Sequence, residues 1–336
     1  MKINLEDIFF ENATKAQAAD WAKIFLKGMR NCQWMSRYFK EQNISELDVS
    51  ISIAQDIDKK SDAELFLIAY ISDKPIGIIR FDEYWVPGAT KILSHFPLVI
   101  PKFQRKGIGR LLVKEGFRQA FAKGFTDCWT ECWSMDKREI SLYQKFYEKI
   151  GFRKKSDRLE MNCTLEHINI ENEVVLKGLK TESSQEVTPE LIKAISASYG
   201  SSLDKLHSIE HLDNPEITKQ FLEKTKKTVE DIGFSIQCIV AKYEKELCAG
   251  LLTATLKNKG MILEIGVIPK YRKLKIAQSL ITNYIIQMKN QNIKEIILGV
   301  DHENLPAINL YEKLGFKKTW FGVLMLLEDK EKLGLV

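Results

Sequence analysis

Short, β-branched apolar runs alternate along the chain with longer stretches whose apolar residues recur every three or four positions. The run from Phe96 to Ile100 is of the first kind, too short and too branched to favour a helix. Downstream, Ile108, Leu111, Leu112, Gly116, Phe117 and Ala120 share one face of a helix. Between them lies Pro101-Lys102-Phe103-Gln104-Arg105-Lys106-Gly107-Ile108-Gly109, a turn with two glycines and several cationic or amide side chains. A strand, a Gly-bearing turn and a helix start together make an anion site. The first helical N–H groups have no internal partner, and the helix dipole adds roughly half a positive charge there. Glycine lets the backbone approach a phosphate closely. The fitting guest is a pyrophosphate.

The same pattern occurs twice. Glu64 to Phe81 predicts two strands around a Ser-Asp-Lys-Pro turn, and Ile236 to Thr253 predicts another such hairpin; Gly77 and Gly250 open their second strands. Leu98 to Gly109 aligns without a gap to Gly266 to Ala277. Phe146-Tyr147-Glu148-Lys149-Ile150-Gly151-Phe152 matches Leu310-Tyr311-Glu312-Lys313-Leu314-Gly315-Phe316. Three matched segments in one order, at nearly one offset, make a tandem repeat. Its domains are expected at 1–166 and 172–336, joined by the polar stretch Glu166 to Glu173.

In the first half the patterning predicts a strand at 8–11 and helices at 15–29 and near 35–42. The hairpin and the strand ending at Ile100 follow. Then come the helix after Gly109, a strand at 128–133, a helix at 138–149 and a strand at 152–163. In the second half it predicts strands at 174–180, 234–243, 248–256, 261–268, 295–300 and 320–327. Helices fall near 190–199, 217–229, 277–289 and 306–314. The order β-α-α-β-β-β-α-β-α-β thus occurs twice, giving an α/β (α+β) chain.

At 336 residues and 45% hydrophobic content the chain has room for two cores. Fifty Lys and Arg against 45 Asp and Glu leave a net +5, and the basic residues are dispersed rather than striped among aromatics, which argues against nucleic acid. No apolar run nears the roughly 20 residues that cross a bilayer, and the N-terminus lacks a signal-peptide core. A cytoplasmic protein with no membrane partner, monomeric or homodimeric, is expected. Six cysteines are too few for a disulfide scaffold, and Cys128 and Cys132 lack a second ligand pair, so buried thiols and no metal are expected. His207 and His211, four apart, are expected at the surface.

Two common pyrophosphate motifs fail here: Gly107 and Gly109 supply neither a P-loop nor the third glycine of the dinucleotide fingerprint. What Gln104, Gly107 and Gly109 do satisfy is Gln/Arg-x-x-Gly-x-Gly/Ala. That turn, with Asn304-Leu305-Pro306-Ala307-Ile308-Asn309-Leu310-Tyr311-Glu312-Lys313-Leu314-Gly315-Phe316 near the end of the chain, resembles the GNAT superfamily of acyl-CoA-dependent N-acetyltransferases. The resemblance spans nearly the whole chain. It implies two tandem GNAT-like domains, each a mixed, mostly antiparallel, splayed sheet flanked by helices. It implies acetyl-CoA as acyl donor and a primary amine, on a small molecule or a peptide, as acceptor. In the first half the donor would be held by Val99, Gln104, Arg105, Lys106, Gly107, Ile108 and Gly109. In the second it would be held by Val267, Arg272, Lys273, Leu274, Lys275, Ile276, Ala277 and Asn304.

The family's tyrosine, which protonates the leaving thiolate, corresponds to Tyr311 and Tyr147; packing in the core is the other reading of Tyr311. Glu264 stands in the strand before the second turn. It reads either as a strand-edge charge facing solvent or as a base that frees the amine. The halves differ in opposite ways. The first keeps both turn glycines but has Phe96 and Ile140 where the second has Glu264 and Asn304; the second has Lys275 in place of the first glycine. The second half is therefore expected to catalyse, and the first to bind acyl-CoA or to be structural. The alternative is a non-catalytic module that binds acyl-CoA or senses a metabolite.

Overall fold

The computed structural model describes residues 4–29, 43–84, 86, 88–168 and 176–335. They form two compact units, Met1–Lys155 with Gly322–Val336, and Ser156–Phe321.

In the first unit β1 (Ile8–Asn12), β2 (Leu65–Ile71), β3 (Lys74–Glu83), β4 (Ala89–Val99) and β5 (Asp127–Ser134) lie side by side in chain order. The first four pair antiparallel, and β4 with β5 is parallel. The helices are α1 (Ala18–Gly28), α2 (Glu46–Lys59), α3 (Ile108–Ala122) and α4 (Lys137–Lys149). The near-continuous apolar run of β2 follows from burial on both faces. Leu65, Leu67 and Ala69 enter the core with Leu112, Val113 and Phe117 of α3, while Phe66, Ile68 and Tyr70 pack with Trp21 and Ile24 of α1 and Ile57 of α2.

Helix α2 was not among the expected elements, and the alternation of Val49, Ile51 and Ile53 does not announce a helix. A capping box decides otherwise: the Ser45 hydroxyl accepts from the Asp48 amide, and the Asp48 carboxylate accepts from the Ser45 amide. The core-facing spacing is then Val49, Ile53, Ile57, with Ile51 exposed. The helix expected near 35–42 lies outside the described residues.

In the second unit the elements are β6 (Phe152–Thr164), β7 (Leu179–Ser184), α5 (Pro189–Tyr199), α6 (Lys205–Ile209), α7 (Pro215–Asp231), β8 (Ser235–Tyr243), β9 (Glu246–Leu256), β10 (Lys259–Val267), α8 (Ile276–Asn290), β11 (Glu295–Asp301), α9 (Leu305–Lys313) and β12 (Lys317–Leu327). Its sheet runs β6-β11-β10-β9-β8-β7, parallel only between β10 and β11. The units are not the repeats residue for residue. Strand β6 gives 152–155 to the first unit and 156–164 to the second, and β12 gives 317–321 to the second and 322–327 to the first. Strand β7 begins at Leu179, later than expected; its polar sequence suffices because an edge strand pairs on one side only, here with β8.

Two features of this sheet shape the cleft. The parallel ladder between β10 and β11 runs from Lys259↔Glu295 to Ile262↔Leu298 and stops there. Past a bulge, β10 continues to Val267 paired only with β9 on its other side. The strands therefore part, leaving the β11-facing edge of 264–267 without a ladder. Second, α5 lies almost on the backbone of β10: a Cβ on Gly266 would stand 2.0 Å from Ser198 Oγ. In the first unit the β4–β5 ladder likewise ends at Ile92↔Thr130.

Candidate active site

The two turns have one backbone conformation despite the missing glycine. Arg105 and Gly107 have φ of 62° and 88°, and Lys273 and Lys275 have 66° and 62°. Lys275 thus holds the left-handed conformation that disfavours a side chain by roughly 1–2 kcal/mol. Helices α3 and α8 start directly after, and no side chain caps either N-terminus.

The Gln/Arg of the motif turns inward in both units. Gln104 Nε2 donates to Val99 O at 2.8 Å, and Arg272 Nε donates to Val267 O at 3.3 Å. Arg272 also donates to Ser201 O at 3.2 Å and Ser198 O at 2.7 Å, bracing the end of α5. Its guanidinium is a strut for the turn, with three of its five N–H donors used, and it stays on the cleft wall. Lys273 and Lys275 line the cleft, and their ammonium groups make no ion pair or hydrogen bond to any described residue. Ile276 and Ala277 line it as well, whereas Leu274 is 40% exposed and off its wall. Asn304 caps α9, its side chain accepting from the Ala307 amide at 3.4 Å.

The cleft encloses about 650 Å³ and runs from this turn between the parted strands to α9. Tyr311 is on its wall, 6% exposed; burial, then the nearby Glu264 and Asp204, push its hydroxyl pKa up, so it keeps its proton at neutral pH. Glu264 faces inward with its side chain 16% exposed, so the solvent-edge reading does not hold. The Tyr199 hydroxyl donates to Glu264 Oε2. Burial raises the Glu264 carboxyl to about 7, against the Tyr199 bond and the positive charge of Arg158.

His207 is not a surface residue. Its ring stacks on Tyr199 with centroids 3.6 Å apart and 17° between planes. Nδ1 is 2.9 Å from Ser202 Oγ, and Nε2 is 3.9 Å from Glu264 Oε2. Burial lowers its pKa to about 4, so the imidazole beside Glu264 is neutral. His211 is exposed, as expected. Beneath them Arg158 of β6 donates to Asp204 Oδ1 at 2.6 Å, and Asp204 Oδ2 accepts from the Asp301 amide at 3.1 Å. From sequence the region Tyr199 to Asn214 was expected only as an acceptor wall, and it does line the cleft; Arg158 and the particular roles of Tyr199, Asp204 and His207 were missed, since no local motif marks residues that converge from three elements.

The first unit has a cleft of about 620 Å³ at its turn, lined by Val99, Gln104, Arg105, Gly107, Ile108 and Gly109. Lys106 is off its wall, with its ammonium 5.9 Å from the Phe103 ring centroid. Tyr147 is not on the wall either. It is fully buried among Tyr143, Phe146 and Phe152, and Phe146 lines the cleft in its place.

Among the described residues no group of three or more His, Cys, Asp or Glu side chains is placed to hold a metal, and no helix is long and apolar enough to cross a membrane. Cys128, Cys132, Cys163, Cys238 and Cys248 are buried free thiols.

The model of the acetyltransferase (GNAT) family matches residues 28–152 and 206–316. The N-alpha-acetyltransferase of Sulfurisphaera tokodaii is 45% identical over 65 residues, 19% of this chain and 39% of that protein. That of Saccharolobus solfataricus is 46% identical over 65 residues, with the same coverage. Among solved structures, a tandem GNAT protein from the clavulanic acid biosynthesis pathway matches with TM-score 0.61 at 11% identity, over 95% of this chain and 98% of its own. A GCN5-related N-acetyltransferase from Sphaerobacter thermophilus matches with TM-score 0.63 at 16% identity, over 96% of each chain. At such identities these two likenesses concern the fold alone.

Proposed function

The chain belongs to the acetyltransferase (GNAT) family, and from that membership we propose that its second unit, Ser156–Phe321, moves an acetyl group from acetyl-CoA to a primary amine. The observation that carries this is one cleft holding an uncapped helix start, a buried carboxyl and a buried tyrosine hydroxyl. Those residues fit the donor. The amides of Ile276 and Ala277, with the unpaired Lys273 and Lys275, suit a pyrophosphate. The unladdered edge of β10 after Ile262 suits the amides of a pantetheine arm.

Acetyl-CoA supplies an activated acyl carbonyl and a thiol leaving group. The protein manages protons around it. An alkylamine with pKa near 10.4 arrives as an ammonium. Glu264, titrating near 7, takes its proton at Oε1 or Oε2. Tyr199 holds that carboxyl in place, its own ring stacked on His207. Tyr311 keeps a proton on its hydroxyl for the departing sulfur. Thiol release with acetyl-CoA over a panel of amines tests the reading; release with none would end it.

For the first unit the closed Tyr147 favours binding without turnover. Calorimetry with acetyl-CoA on a variant whose second turn is blocked would show that binding directly. If the whole chain binds but never turns over, the sensor alternative takes the place of catalysis.

A further inference from the structure

The guanidinium of Arg158 is only partly engaged. Its side chain is 13% exposed and lies on the wall of the second unit's cleft. Nη1 donates to Asp204, and neither Nε nor Nη2 makes a hydrogen bond to any described residue. Asp204 is served from several sides: Oδ1 also accepts from the Leu206 amide at 3.0 Å, and Oδ2 accepts from the Asp301 amide. A single contact of this kind is one a lysine ammonium makes equally well. Guanidinium instead offers five donors in a planar fork that matches a carboxylate two bonds at a time. The donors left over line a cleft, where a ligand can reach them.

We propose that the open edge of Arg158 takes the carboxylate of the acceptor, and that the acceptor is a free α-amino acid whose amine faces Glu264. This rests on the reading that the second unit acylates an amine. Three observations favour a small zwitterion over a peptide or a plain alkylamine. Glu264 and Arg158 are both deep, at 16% and 13% exposure. The charges also match. Glu264 offers a carboxylate to an ammonium, and Arg158, paired through Nη1 with Asp204, keeps N–H donors unused for a carboxylate. A zwitterion answers both, an alkylamine only the first, and a peptide carbonyl brings no charge to the second. Volume agrees, since about 650 Å³ must also admit the end of the acyl donor.

The test uses the intact chain, acetyl-CoA and matched acceptors: each of a set of amino acids, its amide, its decarboxylated amine, and a dipeptide beginning with it. For the preferred side chain, kcat/KM for the free acid should exceed that for the amide by about tenfold and for the decarboxylated amine by about a hundredfold, the scale of charge-assisted bonds to a buried fork. Arg158→Lys retains a cation for Asp204 and should collapse that preference by about tenfold or more. If the variant fails to fold, the series on the unaltered protein still decides. Transfer that is indifferent to the carboxylate, or better with the dipeptide, overturns this proposal and leaves acyl transfer standing. No thiol release with any acceptor overturns both.

Discussion

The Tyr199 hydroxyl reaches Glu264 because α5 lies directly against the backbone of β10. Gly266 permits that approach. A methyl group there would meet Ser198 Oγ at 2.0 Å, Ser198 Cβ at 2.8 Å and Ile195 Cδ1 at 3.3 Å, so the helix end carrying Tyr199 would have to shift. Gly266→Ala should destabilise by about 1–3 kcal/mol and lower kcat/KM tenfold or more, although residue 266 carries no chemistry. Thermal unfolding and steady-state kinetics on one preparation check this. Full activity in a destabilised variant would show that the position of Tyr199 does not matter.

Glu264 gives the pH dependence. Its carboxyl holds a proton up to about 7 in the fold, against an ordinary 4.5. The preference for the protonated form stabilises the fold fully below about pH 4.5 and is lost as pH climbs through 7, a difference on the order of 3 kcal/mol. The base, however, works ionised, so kcat/KM should rise with pH through about 7. Glu264→Gln should abolish that rise and lower kcat by about 100- to 10,000-fold. Its melting temperature should exceed that of the unaltered protein at pH 8, with the gap closing toward pH 5. A variant less stable at pH 8 than the unaltered protein would contradict the buried-charge account.

The paired tyrosines separate the two units. Tyr311 lines its cleft, while Tyr147 is sealed in its core with a hydroxyl that finds no partner among the described residues. Tyr311→Phe should cut kcat by 100-fold or more. Tyr147→Phe should leave kcat within about twofold and change stability by no more than about 1 kcal/mol, since the hydroxyl sits away from the cleft wall. Loss of turnover in the Tyr147 variant alone would move catalysis to the first unit.

What the sequence made legible was whatever is local. The turn at Gly107 and its copy at Lys275, the cap at Asn304 and the order of most elements depend on neighbours within a few positions. Helices α2 and α6 escaped, α6 because five residues are too few to show a helical period, and β7 was expected too early. Helix α2 has branched residues at alternate positions and is fixed by a cap, and β7 has too few apolar residues to show alternation. The surroundings of Glu264 were legible only as a region, Tyr199 to Asn214, that walls the cleft. Arg158, Tyr199, Asp204 and His207 come from β6, α5 and the loop and short helix after it, and only the fold brings them to one carboxyl. His207 looked like a surface residue because nothing in its own stretch announces the aromatic ring it stacks on.

The C-terminal residues belong to the first unit, and this carries a consequence for its stability. Val323, Met325, Leu327 and Leu333 are buried in that unit's core, and the Glu328 and Asp329 amides donate to Gly151 O at 3.1 and 3.0 Å. Each buried aliphatic side chain contributes about 1.5–3 kcal/mol, so removing these four takes away an amount comparable to the 5–15 kcal/mol that holds a typical domain together. A chain ending at Phe321 should therefore lose the first unit, although nothing between residues 1 and 155 has changed. Limited proteolysis followed by mass spectrometry should show new cuts throughout 1–155, with 156–321 cut more slowly. Supplying residues 322–336 as a peptide should restore part of the protection. Equal resistance of 1–155 in the full and shortened chains would mean that the repeat's own strands close that sheet.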